Sequence, residues 1–257
     1  MPLRKCDLSR LLEDSYEACY WLGFLFADGH FSKKNRLKVV LSEKDRLHLE
    51  KLKSFLSISS CMRQYVLANK VYYEISAMDT KVFKILAEKF NISSNKTKEP
   101  CDISKLSEDK LFCLSVGFID GDGSITKVHK RLHPQLTVKC HANWLDNLRL
   151  MYPYASTRLD SRGYAKSVIT DSEVLKNIKT RAIEYNLPIL QRKWDNIDLS
   201  FTSRNQRTKD NLPIIKDLLI KGFSQKEICL LCGYSPSGLS LLIKRKRLKH
   251  SHIKDNT

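Results

Sequence analysis

The stretch YWLGFLFADGHF, Tyr20 to Phe31, returns in altered form as LSVGFIDGDGSI, Leu114 to Ile125. Each copy is an apolar, helix-like run that stops on Asp-Gly and gives way to strand-like sequence. A carboxylate at a helix C-terminus meets the negative end of the macrodipole, so helix stability alone disfavours Asp28 and Asp122. The repeat therefore constrains the chain twice. It implies two like halves, and it implies that something other than local stability keeps an acid at the same place in both. Two such helix ends lying side by side and sharing a divalent cation would meet that demand. Gly23 and Gly117 are small enough to let the two backbones approach.

The same order of elements follows each acid. After Asp28, RLKVVLSEKD is β-branched and strand-like, DRLHLEKLKSFL is amphipathic, RQYVLANKVYYEISA reads as a hairpin turning at Ala68-Asn69, and DTKVFKILAEKFNI is a helix with Asp79 as N-cap. After Asp122, QLTVKC is a strand, WLDNLRLMY a helix, STRLDSRGYAKSVIT a hairpin turning at Ser161-Arg162-Gly163, and DSEVLKNIKTRAIEYNL a helix. The fold class read from this is α+β: two αββαββα repeats over residues 1–100 and 101–203, each a four-stranded antiparallel sheet with helices on one face and the other face free.

Charge says what the free face meets. Forty-five Lys and Arg against 28 Asp and Glu give +17 and a pI near 9.5, a balance that attracts a polyanion through released counterions. Nucleic acid is the partner this implies, specifically double-stranded DNA. In the first repeat the alternation places Lys33, Lys34, Arg36, Lys38, Arg63, Gln64, Tyr72 and Tyr73 on the free face. In the second it places Lys127, His129, Arg131, Gln135, Arg158, Arg162 and Lys166 there.

Composition shifts again near Arg204, and residues 204–257 hold twelve Lys or Arg against four Asp or Glu. This tail is patterned. NLPIIKDLLIKGF starts with Pro213 near the first helical position, SQKEICLLCGY opens on Ser224 with Glu227 completing a capping box, and SPSGLSLLIKRKRLK follows Gly233. Helix, short turn, helix, with Ser237 early and Lys244, Arg245, Lys246 and Arg247 late, is a helix-turn-helix layout suited to DNA. Cys229 and Cys232 form a C-x-x-C with no second pair nearby, so they read as two small buried helix residues and not as a zinc site.

The two acidic motifs, Trp21 to Gly29 and Ser115 to Gly123, resemble those of single-chain LAGLIDADG homing endonucleases, and the likeness spans residues 14–200. What the resemblance implies is a DNA-binding saddle and a site-specific, Mg2+-dependent DNA endonuclease that leaves short 3′ overhangs and initiates intron homing, acting as a monomer. It assigns the metal to Asp28 and Asp122 with the backbone carbonyls of Ala27 and Gly121; Mn2+ or Ca2+ could stand in. It places a basic residue after the last helix of each repeat, here Lys96 and Lys193, with Lys98 and Arg192 as rivals. It also expects a polar residue that positions water after the second strand: Glu43 in the first repeat, Lys139 or Cys140 in the second. The first motif carries Phe26 where the second keeps Asp120, which predicts a structural asymmetry without loss of chemistry. Two other readings use the same basic surface: a DNA-binding regulator that does not cut, and an RNA maturase.

No run of about 18 apolar residues occurs, which argues against a membrane span. The opening MPLRKCDLSRLLEDSYEACY is too charged for a signal peptide. The expected setting is the cytoplasm, the nucleus or an organelle.

Overall fold

The computed structural model describes residues 6–127, 134–199, 204–246 and 248, with only the backbone described at Lys127 and over 204–207. His129, Arg131 and Arg247 lie outside the described residues. The chain forms two compact units, Met1–Leu199 and Ser200–Thr257.

In the first unit both repeats run in the expected order. The first is α1 (Tyr16–Asp28), β1 (His30–Ser32), β2 (Arg36–Ser42), α2 (Arg46–Phe55), β3 (Arg63–Leu67), β4 (Lys70–Met78) and α3 (Thr80–Phe90). The second is α4 (Glu108–Asp122), β5 (Gly123–Lys127), β6 (Pro134–Cys140), α5 (Leu145–Met151), β7 (Ser156–Leu159), β8 (Ala165–Ile169) and α6 (Ser172–Glu184). A short α7 (Gln191–Trp194) follows, which the periodicity does not reveal.

Each repeat builds one antiparallel four-stranded sheet, in the orders β1-β2-β4-β3 and β5-β6-β8-β7. Period-2 alternation decides the faces. Leu37, Val39 and Leu41 of β2 lie opposite Ala77, Ile75 and Tyr73 of β4, and all six are buried. Leu136 and Val138 of β6 pair with Ile169 and Ser167 of β8 in the same way. Tyr73 is thus a core residue, not a free-face one. Gln64, its partner across the β3–β4 ladder, shares its side of the sheet, which corrects the expectation that Gln64 joins the free face. A strand offset of one residue reverses the face, and the turn at Ala68-Asn69, both left-handed, fixes that offset.

The helical faces of both sheets merge into one continuous hydrophobic core, so the repeats expected as two domains share an interior. At its centre lie α1 and α4, buried almost all round, with Trp21, Phe24, Phe26 and Phe118 among the residues hidden. A helix of that kind is stable only inside protein.

The second unit holds α8 (Arg204–Ile220), α9 (Gln225–Cys232) and α10 (Pro236–Lys246) around a small core of Ile215, Leu219, Ile228, Cys229, Cys232, Leu239 and Leu242. The two cysteines are buried there. Ser224 caps α9 in the expected capping box, and Gly233 ends it in the left-handed conformation. Pro213 sits inside α8 and not near its start, because the polar segment before it is helical too. Among the described residues no helix is long and apolar enough to cross a membrane.

Candidate active site

The site grows out of the α1–α4 seam. The two helices run in the same direction in close backbone contact: a Cβ on Gly23 would lie 1.9 Å from the carbonyl oxygen of Leu114, and one on Gly117 1.9 Å from that of Tyr20. No other residue fits at either position. Further along, a Cβ on Gly121 would fall 2.2 Å from that of Ala27 and 3.3 Å from the amide nitrogen of Asp28. The two C-terminal ends therefore arrive together, and Asp28 and Asp122 with them.

Both carboxylates reach solvent at the open end of the seam, while densely packed protein beneath them thins the water that would stabilise their charge. That crowding first, and the Asp122 charge second, push Asp28 up to about 6, against the pull of Lys193 and Lys96. Asp122 is raised by burial as well, with Lys96 and Lys193 opposing. Contact with solvent tempers both shifts.

A lysine from the same repeat closes each helix end. Lys96 Nζ donates to the carbonyls of Phe26 at 2.6 Å and Ala27 at 2.7 Å. Lys193 Nζ donates to those of Ile119 at 3.0 Å, Asp120 at 2.5 Å and Gly121 at 3.0 Å. Each lysine is only 8% exposed, and burial lowers both pKa values while the nearby acids hold them up. A cation here meets the negative end of the helix dipole, which offsets the misplaced acids. The carbonyls of Ala27 and Gly121, expected as metal donors, are thus already lysine acceptors, each with a second lone pair remaining.

The rivals are placed elsewhere. Lys98 is exposed, and Arg192 makes a two-pronged ion pair with Asp45 at 2.7 and 2.8 Å. Glu43 is exposed at the head of the turn before α2; the acid of that turn whose charge adds, after that of Asp122, to the rise at Asp28 is Asp45, two residues on, which the sequence does not single out. Beside Asp122 lies a cavity of about 490 Å³, walled by Phe26, Phe118 and Trp144 and bordered by both Lys139 and Cys140. Lys139 there pairs with Asp160 and stands 4.6 Å from the centre of the Tyr164 ring. Burial and Asp122 push the Cys140 thiol up to about 12, so it is neutral.

Asp120 is the largest departure from symmetry. It is buried and accepts from the Tyr20 hydroxyl at 2.6 Å, the Leu190 amide at 2.8 Å and the Trp194 indole at 2.7 Å. Tyr20 in turn meets His48 Nε2 at 3.2 Å, and burial lowers His48 to about 3, leaving it neutral. Asp120 thereby pins the segment that carries Lys193. Phe26, its counterpart, packs edge-on against Phe90.

No protein-family model and no curated protein matches the chain. Among solved structures it is similar to the LAGLIDADG homing endonuclease I-GzeII in complex with its DNA target, at 14% identity over 92% of this chain and 99% of that one, with a TM-score of 0.47. It is similar to the meganuclease I-SmaMI bound to uncleaveable DNA, at 16% identity over 91% and 96%, TM-score 0.46. A third is the I-LtrWI LAGLIDADG homing endonuclease bound to target DNA, at 15% identity over 92% and 98%, TM-score 0.44.

The free sheet faces gather most of the remaining candidates. Arg36, Lys38 and Arg63 lie on the outer face of the first sheet with Tyr72, which stacks on Tyr65, while Lys33 and Lys34 occupy the exposed β1–β2 turn. His30, opposite Lys38, joins them and is missed by composition alone. On the second sheet Gln135, Arg158 and Lys166 share the outer face and Arg162 sits at the exposed hairpin tip. In the second unit Ser237, Ser240, Leu241, Lys244 and Arg245 form one exposed stripe along α10 at helical spacing, and Lys246 is exposed beside it. Among the described residues no group of three or more His, Cys, Asp or Glu is placed to hold a metal.

Proposed function

We propose that the chain is a site-specific double-strand DNA endonuclease of the LAGLIDADG kind, with the helix seam as its cutting centre. The seam carries this reading: two solvent-facing carboxylates forced together by glycine packing, each flanked by a buried lysine. Two like charges so placed call for a divalent cation, and their hard oxygens suit Mg2+, with Mn2+ or Ca2+ as substitutes. Asp28 and Asp122 would hold it, aided by the free lone pairs on the carbonyls of Ala27 and Gly121. When bound, such a cation supplies Lewis-acid chemistry for phosphodiester hydrolysis.

The chain's own groups do the rest. Lys96 and Lys193 fix the ends of the seam and set positive charge where a scissile phosphate would gain negative charge. The outer sheet faces supply Lys and Arg for phosphate and donors for base edges in the major groove. The α10 stripe extends the contact into a neighbouring groove as a helix-turn-helix does. The resemblance adds short 3′ overhangs, intron homing and action as a monomer.

The test is cleavage of a randomised plasmid library with Mg2+. Wild type should cut a defined site, while Asp28→Asn and Asp122→Asn should lose cutting and keep sequence-selective binding, since the amide removes an anionic ligand without changing shape. Undiminished cutting by either variant would refute the assignment. A chain ending at Leu199 should cut at the same phosphates but protect a shorter stretch of DNA, with the log–log salt slope flatter by about one per lost phosphate contact. An unchanged footprint would remove the second unit from the interface.

A further inference from the structure

An acid sits in the middle of the cationic face of the first sheet. Glu74 of β4 lies on the outer face between Val40 of β2 and Arg63 of β3. In the second sheet the same place is held by Lys166, between Lys139 of β6 and Arg158 of β7. The two positions correspond because each precedes by the same number of residues the aspartate, Asp79 or Asp171, that caps the following helix. One repeat thus presents a row of three cations, and the other has reversed the central charge.

Glu74 is not a stray surface acid. Its side chain is 7% exposed and pairs with Lys38, whose ammonium is 2.8 Å away and whose side chain is 39% exposed. On a face meant only to attract phosphate this pair is counterproductive, because the carboxylate cancels a charge that would otherwise release a counterion. What the pair gains is direction. An ammonium carries three donors on a long, flexible stem; the bond to Glu74 uses one and fixes the nitrogen, leaving two to donate outward from the sheet. Paired acceptors at a fixed place are what the major-groove edge of guanine offers, through O6 and N7.

We infer that Glu74 is a positioning residue that turns Lys38 from a phosphate contact into a base reader, selecting guanine at one position in the half of the target that the first sheet covers. This rests on the DNA endonuclease reading above. Lys166 keeps the central place of the second sheet cationic, and the nearby acid, Asp160, lies beyond the end of β7 and pairs with Lys139.

The test compares full-length wild type, Glu74→Gln and Lys38→Met by selection from a randomised duplex DNA library, followed by anisotropy titrations on the selected duplex and its single-base variants across a range of salt. Glu74→Gln keeps the shape and removes the charge. It should lower discrimination about tenfold at one position in one half-site and leave the other positions unchanged. It should also steepen the salt slope, by up to about one unit, as Lys38 turns to phosphate. Lys38→Met should lose discrimination at the same position, and the double variant should lose no more than either alone. A merely structural role predicts instead a lower melting temperature with affinity falling evenly at every position; that result overturns the inference, as does an unchanged preference profile. A wild-type protein that selects no sequence overturns the nuclease reading and this inference with it. Wild-type selectivity untouched by Glu74→Gln overturns the inference alone.

Discussion

The two repeats share order, topology and acid, yet they solve the environment of that acid differently. Two residues before Asp28 the first repeat has Phe26, which packs on Phe90; two residues before Asp122 the second has Asp120, buried in a net of three donors. The lysines differ in the same sense, since Lys96 reaches two carbonyls and Lys193 three. The comparison teaches that the seam glycines, the outermost acids and the lysine on each helix end are held in common. The supports beneath are hydrophobic in one half and polar in the other.

The largest effect should come from breaking the polar support. Asp120→Asn puts an amide among groups that all donate to a carboxylate, and unfolding in urea should show a loss of about 3 kcal/mol. Phe26→Leu, which trims the apolar support, should cost about 1 kcal/mol. Equal losses would mean that the polar net adds nothing to hydrophobic packing. Next come the lysines. Lys193→Met leaves three carbonyls without their cation and Lys96→Met leaves two, so thermal unfolding should rank the first variant below the second, with losses of about 1–3 kcal/mol each. The reverse order would show that the segment after α6 is held by Asp120 and not by its lysine.

The smallest effect concerns pH. In the folded chain Asp28 is raised to about 6 from its ordinary 3.8, so the folded state binds its proton more tightly than the unfolded one. Its contribution is most favourable below the unfolded value and is lost as pH rises through the folded one. Between about pH 4 and pH 6 the metal-free wild type should therefore lose stability relative to Asp28→Asn, and added Mg2+ should recover more of it at pH 7 than at pH 5. A stability difference that does not vary with pH would mean that solvent fully screens the seam.

Much of this was legible in the sequence, for stated reasons. An acid written twice at the end of an apolar helix is costly to keep, so Asp28 and Asp122 stood out, and period-2 runs with turn residues gave both sheets. Faces were less secure: Tyr73 and Gln64 came out on the wrong side because a single-residue offset inverts a strand. Asp45 was missed because its meaning depends on Arg192, 147 residues away, and no local pattern encodes that separation. Lys96 and Lys193 could be chosen over their neighbours only through the family resemblance. In space the choice is set by which amine reaches the helix carbonyls. Pro213 misled because a proline that often opens a helix here lies within one.

The segments that follow α3 and α6 each serve one repeat and lean on the other. The Lys96 ammonium closes α1, yet its own carbonyl accepts from the Trp144 indole at 3.0 Å, and the neighbouring carbonyls of Lys98 and Cys101 accept from Asn143 and Asn147. In return Arg192, next to Lys193, clasps Asp45 of the first repeat. Such reciprocal clasps limit modular recombination. A chimaera that borrowed one half from another such chain would inherit a linker cut for a different partner, so exchange of halves would have to carry the Trp144 and Asp45 sockets together with the loops that fill them.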